Sequence, residues 1–187
     1  MKVVSAFFLI ALGAFGAIQD LDFKNFTYLF IKNEFDSVPD KLRWMPRSGT
    51  SLISPHDGQY TFPCDDSPCP LLTVDQIDYG NIKGLPETIA IITTTYHTGG
   101  TATWDYLYVI ALRSGKPEIM AWLEAGSRAY MGLRRLLVDH GDLVLIVEDP
   151  DKRQGDCCSS GTITYRYRWH DGSFHQIGKP VLKDDPQ

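Results

Sequence analysis

Reactive chemistry in this sequence is confined to a few local constellations, and the adjacent pair Cys157-Cys158 is the most unusual of them. With Cys64 and Cys69 it makes four cysteines. A thiolate is both a nucleophile and a soft-metal ligand, and the charge on nearby Arg153 favours it. His170 and His175 are further candidate ligands in the same stretch. In an oxidising compartment, however, an even cysteine count points to disulfides. Cys64 and Cys69 can close on themselves around a turn, which leaves Cys157 and Cys158 as a vicinal pair. Alternatively, two bridges link the two loops, each closing roughly 90 residues and stabilising by several kcal/mol on the chain-entropy model. The long-range pairing is the expectation. No Cys-x-x-Cys is present, so neither a thioredoxin-type motif nor a zinc ribbon is supported.

Charged and aromatic residues form three further groups. Glu148-Asp149-Pro150-Asp151 with Asp156 clusters carboxylates, but the spacing fits no EF-hand and includes Lys152 and Arg153. A solvated acidic loop with no metal is expected there. Tyr165-Arg166-Tyr167-Arg168-Trp169 alternates with period two, which sends Arg166 and Arg168 to one face of a strand and the aromatic rings to the other. The plain reading is aromatic core beneath a basic face. The sharper one is an anion-binding surface of Arg166 and Arg168 with Arg128, Arg134 and Arg135, because guanidinium groups bind carboxylate or phosphate in bidentate fashion. His97 to Trp104 is a Thr- and Gly-rich hairpin tip that brings His97, Trp104 and Asp105 together. Loop tips on a rigid sheet often carry recognition. The chain has no Gly-x-Ser-x-Gly, His-Glu-x-x-His, P-loop or dinucleotide fingerprint, and its five histidines are scattered. A non-catalytic role without a cofactor is therefore favoured over an enzyme.

These residues need a scaffold, and the pattern predicts a β-rich one. Residues 17–70 read as irregular. They hold an aromatic strand candidate at Phe23, Phe26, Tyr28, Phe30 and Ile31, a long loop from Ser37 to Gly58 and a short strand from Gln59 to Phe62. From residue 71 onward short strands alternate with turn signals. Thr88–Thr95 is β-branched. Trp104–Leu112 is apolar on both faces, as a covered central strand must be. Turns are expected at His97-Thr98-Gly99-Gly100, Ser114-Gly115, Asp139-His140-Gly141-Asp142 and His170-Asp171-Gly172. Ala121–Arg135 has the composition of a short helix, which Gly126 and Gly132 weaken. The fold class is mostly β, all-β or β-rich α+β. It is an antiparallel meander of about eight strands from residue 71, behind an irregular N-terminal third.

Ile77-Asp-Tyr-Gly-Asn-Ile-Lys-Gly-Leu-Pro-Glu, followed by a hairpin, resembles one FG-GAP-like hairpin over residues 77–124. In that family the loop reads Gly-Asp-x-Asp-Gly-Asp-Gly and binds calcium. Asn81, Lys83 and Leu85 replace the carboxylates a hard cation needs, so the resemblance carries no metal site here. The segments around Thr98–Val109, Gly126-Ser-Arg128, Gly155-Asp-Cys-Cys-Ser159 and Tyr165–Trp169 are similar to uncharacterised exported bacterial β-rich proteins. That resemblance implies compartment and fold but no activity.

The compartment is also expected from the first residues. Lys2 precedes an almost wholly apolar run from Val3 to Gly16, too short to cross a bilayer at about 20 residues and suited to a signal peptide. Small Ala14 and Gly16 favour a cut before Ala17. No cysteine follows for lipid attachment. Residues 1–16 are thus read as a signal peptide and 17–187 as one β-rich domain, in which 17–70 packs on the 71–178 meander and 179–187 is a tail. A periplasmic or extracellular location without a membrane anchor is expected. A net charge of −5 disfavours a nucleic-acid partner, which requires basic surface. The favoured role is binding a protein, a glycan or an envelope component. The alternatives are an exported hydrolase and a redox or metal role at the vicinal cysteines.

Overall fold

The computed structural model describes residues 17–31, 42–45, 50–65, 67–85, 88–128, 130–155 and 157–185. Residues 1–16 and parts of the Ser37–Gly58 loop, both subjects of expectations above, lie outside them. The chain is mostly β, in antiparallel sheets. The N-terminal part contributes short pieces: β1 (Tyr28–Phe30), β2 (Arg43–Trp44), β3 (Ser51–Ile53) and β4 (Gln59–Thr61). Long strands follow: β5 (Leu71–Gly80), β6 (Ile89–His97), β7 (Thr103–Arg113), β8 (Lys116–Gly126), β9 (Leu133–Asp139) and β10 (Asp142–Glu148). A short hairpin, β11 (Arg153–Gln154) with β12 (Cys158–Ser159), precedes β13 (Gly161–His170), β14 (Ser173–Gln176) and β15 (Val181–Asp184).

Two meanders make two sheets. The first runs β2-β8-β7-β6-β5-β4, and the second runs β14-β13-β10-β9 with β15 also on β13. Tight turns set the register. Ser114-Gly115, His140-Gly141 and Asp171-Gly172 each place both central residues at positive φ, the conformation whose twist matches a two-residue hairpin.

Burial on both faces of β7 fixes the layering. Trp104, Tyr106, Tyr108, Ile110 and Leu112 point one way, into a cluster with Ile18, Phe23, Tyr28, Phe30 and Ile53 of the N-terminal segment. Leu107, Val109 and Ala111 point the other way, against Leu143, Leu145, Tyr167, Trp169 and Phe174 of the second sheet. The six-stranded sheet is therefore the middle of three layers. The irregular third is tied down by polar groups as well as by area: Tyr108 Oη donates to Leu29 O at 2.7 Å, and Tyr28 Oη donates to Phe23 O at 2.6 Å. Desolvation by burial raises the pKa of both phenols.

Three expectations are corrected. Residues 121–135 hold no helix among the described residues. Ala121–Gly126 completes β8, and a turn with a Ser127↔Tyr130 bridge leads to β9, because the 116–126 segment has both sheet faces to fill. The C-terminal residues are not a free tail, since Val181–Asp184 pairs with Gly161–Thr164 as β15. The cysteines pair locally, Cys64 with Cys69 and Cys157 with Cys158. The physical reason is placement. One loop leads into β5 of the first sheet, and the other is an insertion between β10 and β13 of the second. Cys64 and Cys69 lie 5.6 Å apart at Cα, within the span of one bridge. Closing so short a loop contributes about 2 kcal/mol on the chain-entropy model, less than the long-range pairing would.

Candidate functional site

The face of the six-stranded sheet that looks toward the second sheet changes character along its strands. Its middle is apolar, with Ile89, Ile91, Leu107 and Val109 under the second sheet. Its other end is polar. Thr73 of β5 pairs with Thr95 of β6, and Thr95 pairs with Asp105 of β7, so the three stand in one cross-strand row on one face. A β-bulge between Val74 and Gln76 puts an extra residue, Asp75, beside that row. The sheets meet closely lower down. There a Cβ on Gly80 would come within 2.9 Å of Val138, and Lys83 N donates to Gly141 O at 2.9 Å. Where the face turns polar, the sheets enclose a cavity of about 290 Å³ between β5, β6, β7 and the start of β9. A second, open hollow of about 460 Å³ flanks the close contact itself, lined by Asp78–Asn81, Leu136–Val138 and Gly141.

The row is a hydrogen-bonded relay. Thr73 Oγ1 donates to Asp75 Oδ1 at 2.8 Å. Thr95 Oγ1 lies 2.7 Å from Asp75 Oδ2 and 3.2 Å from Asp105 Oδ1. The backbone N–H of Leu133 donates to Asp105 Oδ2 at 2.8 Å, which ties the start of β9 to the first sheet. Thr95 has one hydroxyl proton for two carboxyl groups. Both contacts are hydrogen bonds only when one carboxyl carries a proton of its own. Asp105 is the group suited to carry it, since burial pushes its carboxyl up to about 6. The N–H of Leu133 and the hydroxyl of Thr95 pull the other way, Asp75's charge adds to the rise, and His97's charge opposes it. The arrangement is a partly buried acid joined to a second carboxylate through a hydroxyl. It can accept hydrogen bonds from a donor-rich ligand or hold a proton.

The residues picked out by sequence distribute unevenly around this site. Asp105 is at its centre. His97 ends β6 on the same face, close enough for its charge to act on Asp105. Trp104 is not at a recognition tip. Strand alternation sends it to the opposite face from Asp105, where only 6% of its surface is exposed among the N-terminal aromatics. The tip itself closes on its own polar groups, with Thr98 N and Oγ1 both donating to Ala102 O. Arg128 is exposed in the turn between β8 and β9 at φ 40°.

Arg166 and Arg168 do share a face of β13, as the alternation required, but they make no open anion site. Arg168 grips Asp142 through Nε at 2.8 Å and Nη2 at 3.0 Å. Arg166 bonds Asp139 and reaches Asp142 at 3.4 Å. Arg134 is likewise held by Glu148 and Asp185. Arg168 and Arg166 hold the carboxyl of Asp142 below the usual carboxylate range, and Arg166 does the same for Asp139. Histidines at 56, 140 and 170 meet carboxylates, and His175 meets Ser173 on β14, all at exposed positions.

Sequence reasoning missed Asp75, Thr73 and Thr95. A signal was present: Leu71–Gly80 carries Thr73, Asp75 and Asp78 among its apolar residues, and a polar stripe on a strand whose sheet is covered on both faces marks a cavity. Among the described residues no group of three or more His, Cys, Asp or Glu is arranged to hold a metal ion. No family model, no curated protein and no solved structure matches this chain.

Proposed function

We propose that this chain is an exported, non-catalytic β-domain that binds a neutral, hydroxyl-rich ligand, an envelope glycan, in the cleft between β5, β6 and β9. The observation that carries this reading is the row Thr73–Thr95–Asp105 with Asp75, presented on a rigid antiparallel register beside the 290 Å³ cavity. Carboxylates and threonine hydroxyls accept hydrogen bonds from sugar hydroxyls, and rigid strands hold such acceptors without ordering cost on binding. Arg134 and Arg135 also line the cavity, but Arg134 is held by Glu148 and Asp185, and with two carboxylates in the row and a net charge of −5 the cleft does not favour polyanionic ligands. The closed hydrogen bonding of the β6–β7 tip supports the cleft over the tip as the binding surface. Export rests on the apolar run of residues 3–16, and an oxidising compartment suits the paired cysteines.

Isothermal titration with a panel of neutral oligosaccharides tests this. One or more members bind, and Asp75→Asn weakens that binding at least tenfold while leaving the unfolding midpoint within a few degrees. Equal affinity of the D75N variant and the parent for every ligand that binds would count against the cleft.

A second reading, an exported hydrolase, draws support from the same pair. Asp75 Oδ2 and Asp105 Oδ1 each bond Thr95 Oγ1, at 2.7 and 3.2 Å, so they lie within about 6 Å of one another. An acid of pKa about 6 beside a second carboxylate is a general-acid arrangement. Release of free reducing ends from the same panel, abolished by Asp105→Asn, would favour it over binding alone.

A further inference from the structure

We propose that Cys157–Cys158 is a thiol–disulfide exchange site, one that takes two electrons from a dithiol. A disulfide between adjacent residues closes no loop of chain, so the entropic role of a structural bridge is absent. The hairpin that bears it is held by other bonds. Ser159 is buried, its Oγ donates to Asp149 O at 2.7 Å and accepts from Gly161 N at 3.2 Å, and Ser160 N donates to Lys152 O at 3.0 Å. Lys152 pairs with Asp184 of β15. The base of the hairpin is therefore fixed with or without the S–S bond.

Access and charge point the same way. Both Cys157 and Cys158 are exposed, whereas in the other pair Cys64 is exposed and Cys69 is half-buried. Arg153, which opens β11 and pairs with Ser159, holds its guanidinium 5.0 Å over the ring of Tyr130, so the hairpin carries a positive charge at its base. Both sulfurs also face Gln154 O, at 3.5 and 3.7 Å. A disulfide sulfur has no hydrogen to donate to that carbonyl, but a thiol has one. The acceptor is in place for the reduced pair.

The reaction is a dithiol exchange. A thiolate of the reductant attacks one sulfur, the Cys157–Cys158 bond breaks, and a mixed disulfide forms while the other cysteine leaves as thiolate and takes up a proton. The reductant's second thiol then attacks the mixed disulfide, gives up its proton and closes the reductant's own disulfide. Two thiols remain on the protein, and the dithiol has lost two electrons.

The test is graded reduction of the oxidised protein by dithiothreitol and by a Cys-Gly-Pro-Cys peptide. Timed alkylation and peptide mapping then assign each thiol. The expected result is that Cys157 and Cys158 are alkylated at least tenfold faster than Cys64 and Cys69, with circular dichroism and Tm unchanged when only they are reduced. Cys157→Ser with Cys158→Ser removes the fast phase and leaves the slow one. Equal rates at the two pairs, reduction of Cys157–Cys158 only together with unfolding, or free thiols at both positions in the oxidised protein would each overturn the proposal.

Discussion

Thr95 offers one proton to two carboxyl groups, and that imbalance makes Asp105 the most informative single residue in the molecule. Its carboxyl rises to about 6 chiefly through burial, above the roughly 3.9 of an unfolded chain. A raised carboxyl pKa means that the folded form binds the proton more tightly. The resulting stability is complete below about pH 4 and is lost as pH climbs through 6, a change on the order of 2–3 kcal/mol. Asparagine at 105 reproduces the neutral form: its amide donates to Thr95 Oγ1 and its carbonyl accepts from Leu133 N. Asp105→Asn is therefore expected to be about 2 kcal/mol more stable than the parent at pH 7.5 and no more stable at pH 4, measured by urea unfolding. A parent advantage at pH 7.5 would mean that Asp105 is charged and satisfied. The sequence pointed to Asp105, though for its place at a hairpin tip. It also pointed to Trp104, one residue away, and alternation makes both correct only if the two faces have the same neighbours. They do not, because the N-terminal aromatics cover one face and the cavity opens on the other.

Among the elements, β13 was the most legible and yet its chemistry was misread. Tyr165, Tyr167 and Trp169 pack inward and Arg166 and Arg168 outward, as a period of two demands. What alternation cannot reveal is the neighbouring strand. The turn between β9 and β10 brings Asp139 and Asp142 beneath those arginines, so the basic face is neutralised across strands distant in sequence. Asp142 has only 6% of its side chain exposed and depends on them. Arg168→Ala leaves that carboxylate with one weaker contact to Arg166. It is expected to lower the stability at pH 7, by an amount that the exposure of Arg168 to solvent keeps modest. Asp142 is a lowered carboxyl, so the stability it contributes exists above its unfolded pKa and is lost as pH falls through the folded value. The difference between variant and parent therefore shrinks below about pH 4, which paired urea titrations at about pH 7 and pH 3 measure. The short β11–β12 hairpin and β15 escaped notice, and β15 shows why. Its four residues are all exposed, so it has no hydrophobic period, and only its backbone pairing with β13 reveals it.

For the whole molecule, the legible part was the one governed by local chemistry. Turn residues and β-branched or aromatic runs were enough to outline an antiparallel meander of about eight strands, but not its division into two sheets. Layer order was not readable, because it depends on which apolar faces meet. The doubly apolar β7 required cover on both sides without naming the covers, which turn out to be the irregular third and the second sheet. The cavity arises from the same geometry. The polar end of β5 and β6 has no apolar surface for the second sheet to cover, so the sheets part there and Asp75, Thr95 and Asp105 face the gap. The most direct test of that account is the movement of backbone amide resonances in a 15N-labelled sample as a neutral oligosaccharide is added. Shifts concentrated at Asp75, Gln76, Thr93, Thr95, Asp105 and Leu133 are the result expected. Shifts confined to Thr98–Ala102 at the hairpin tip, or no shift with any member of the panel, would contradict the cleft as the binding site.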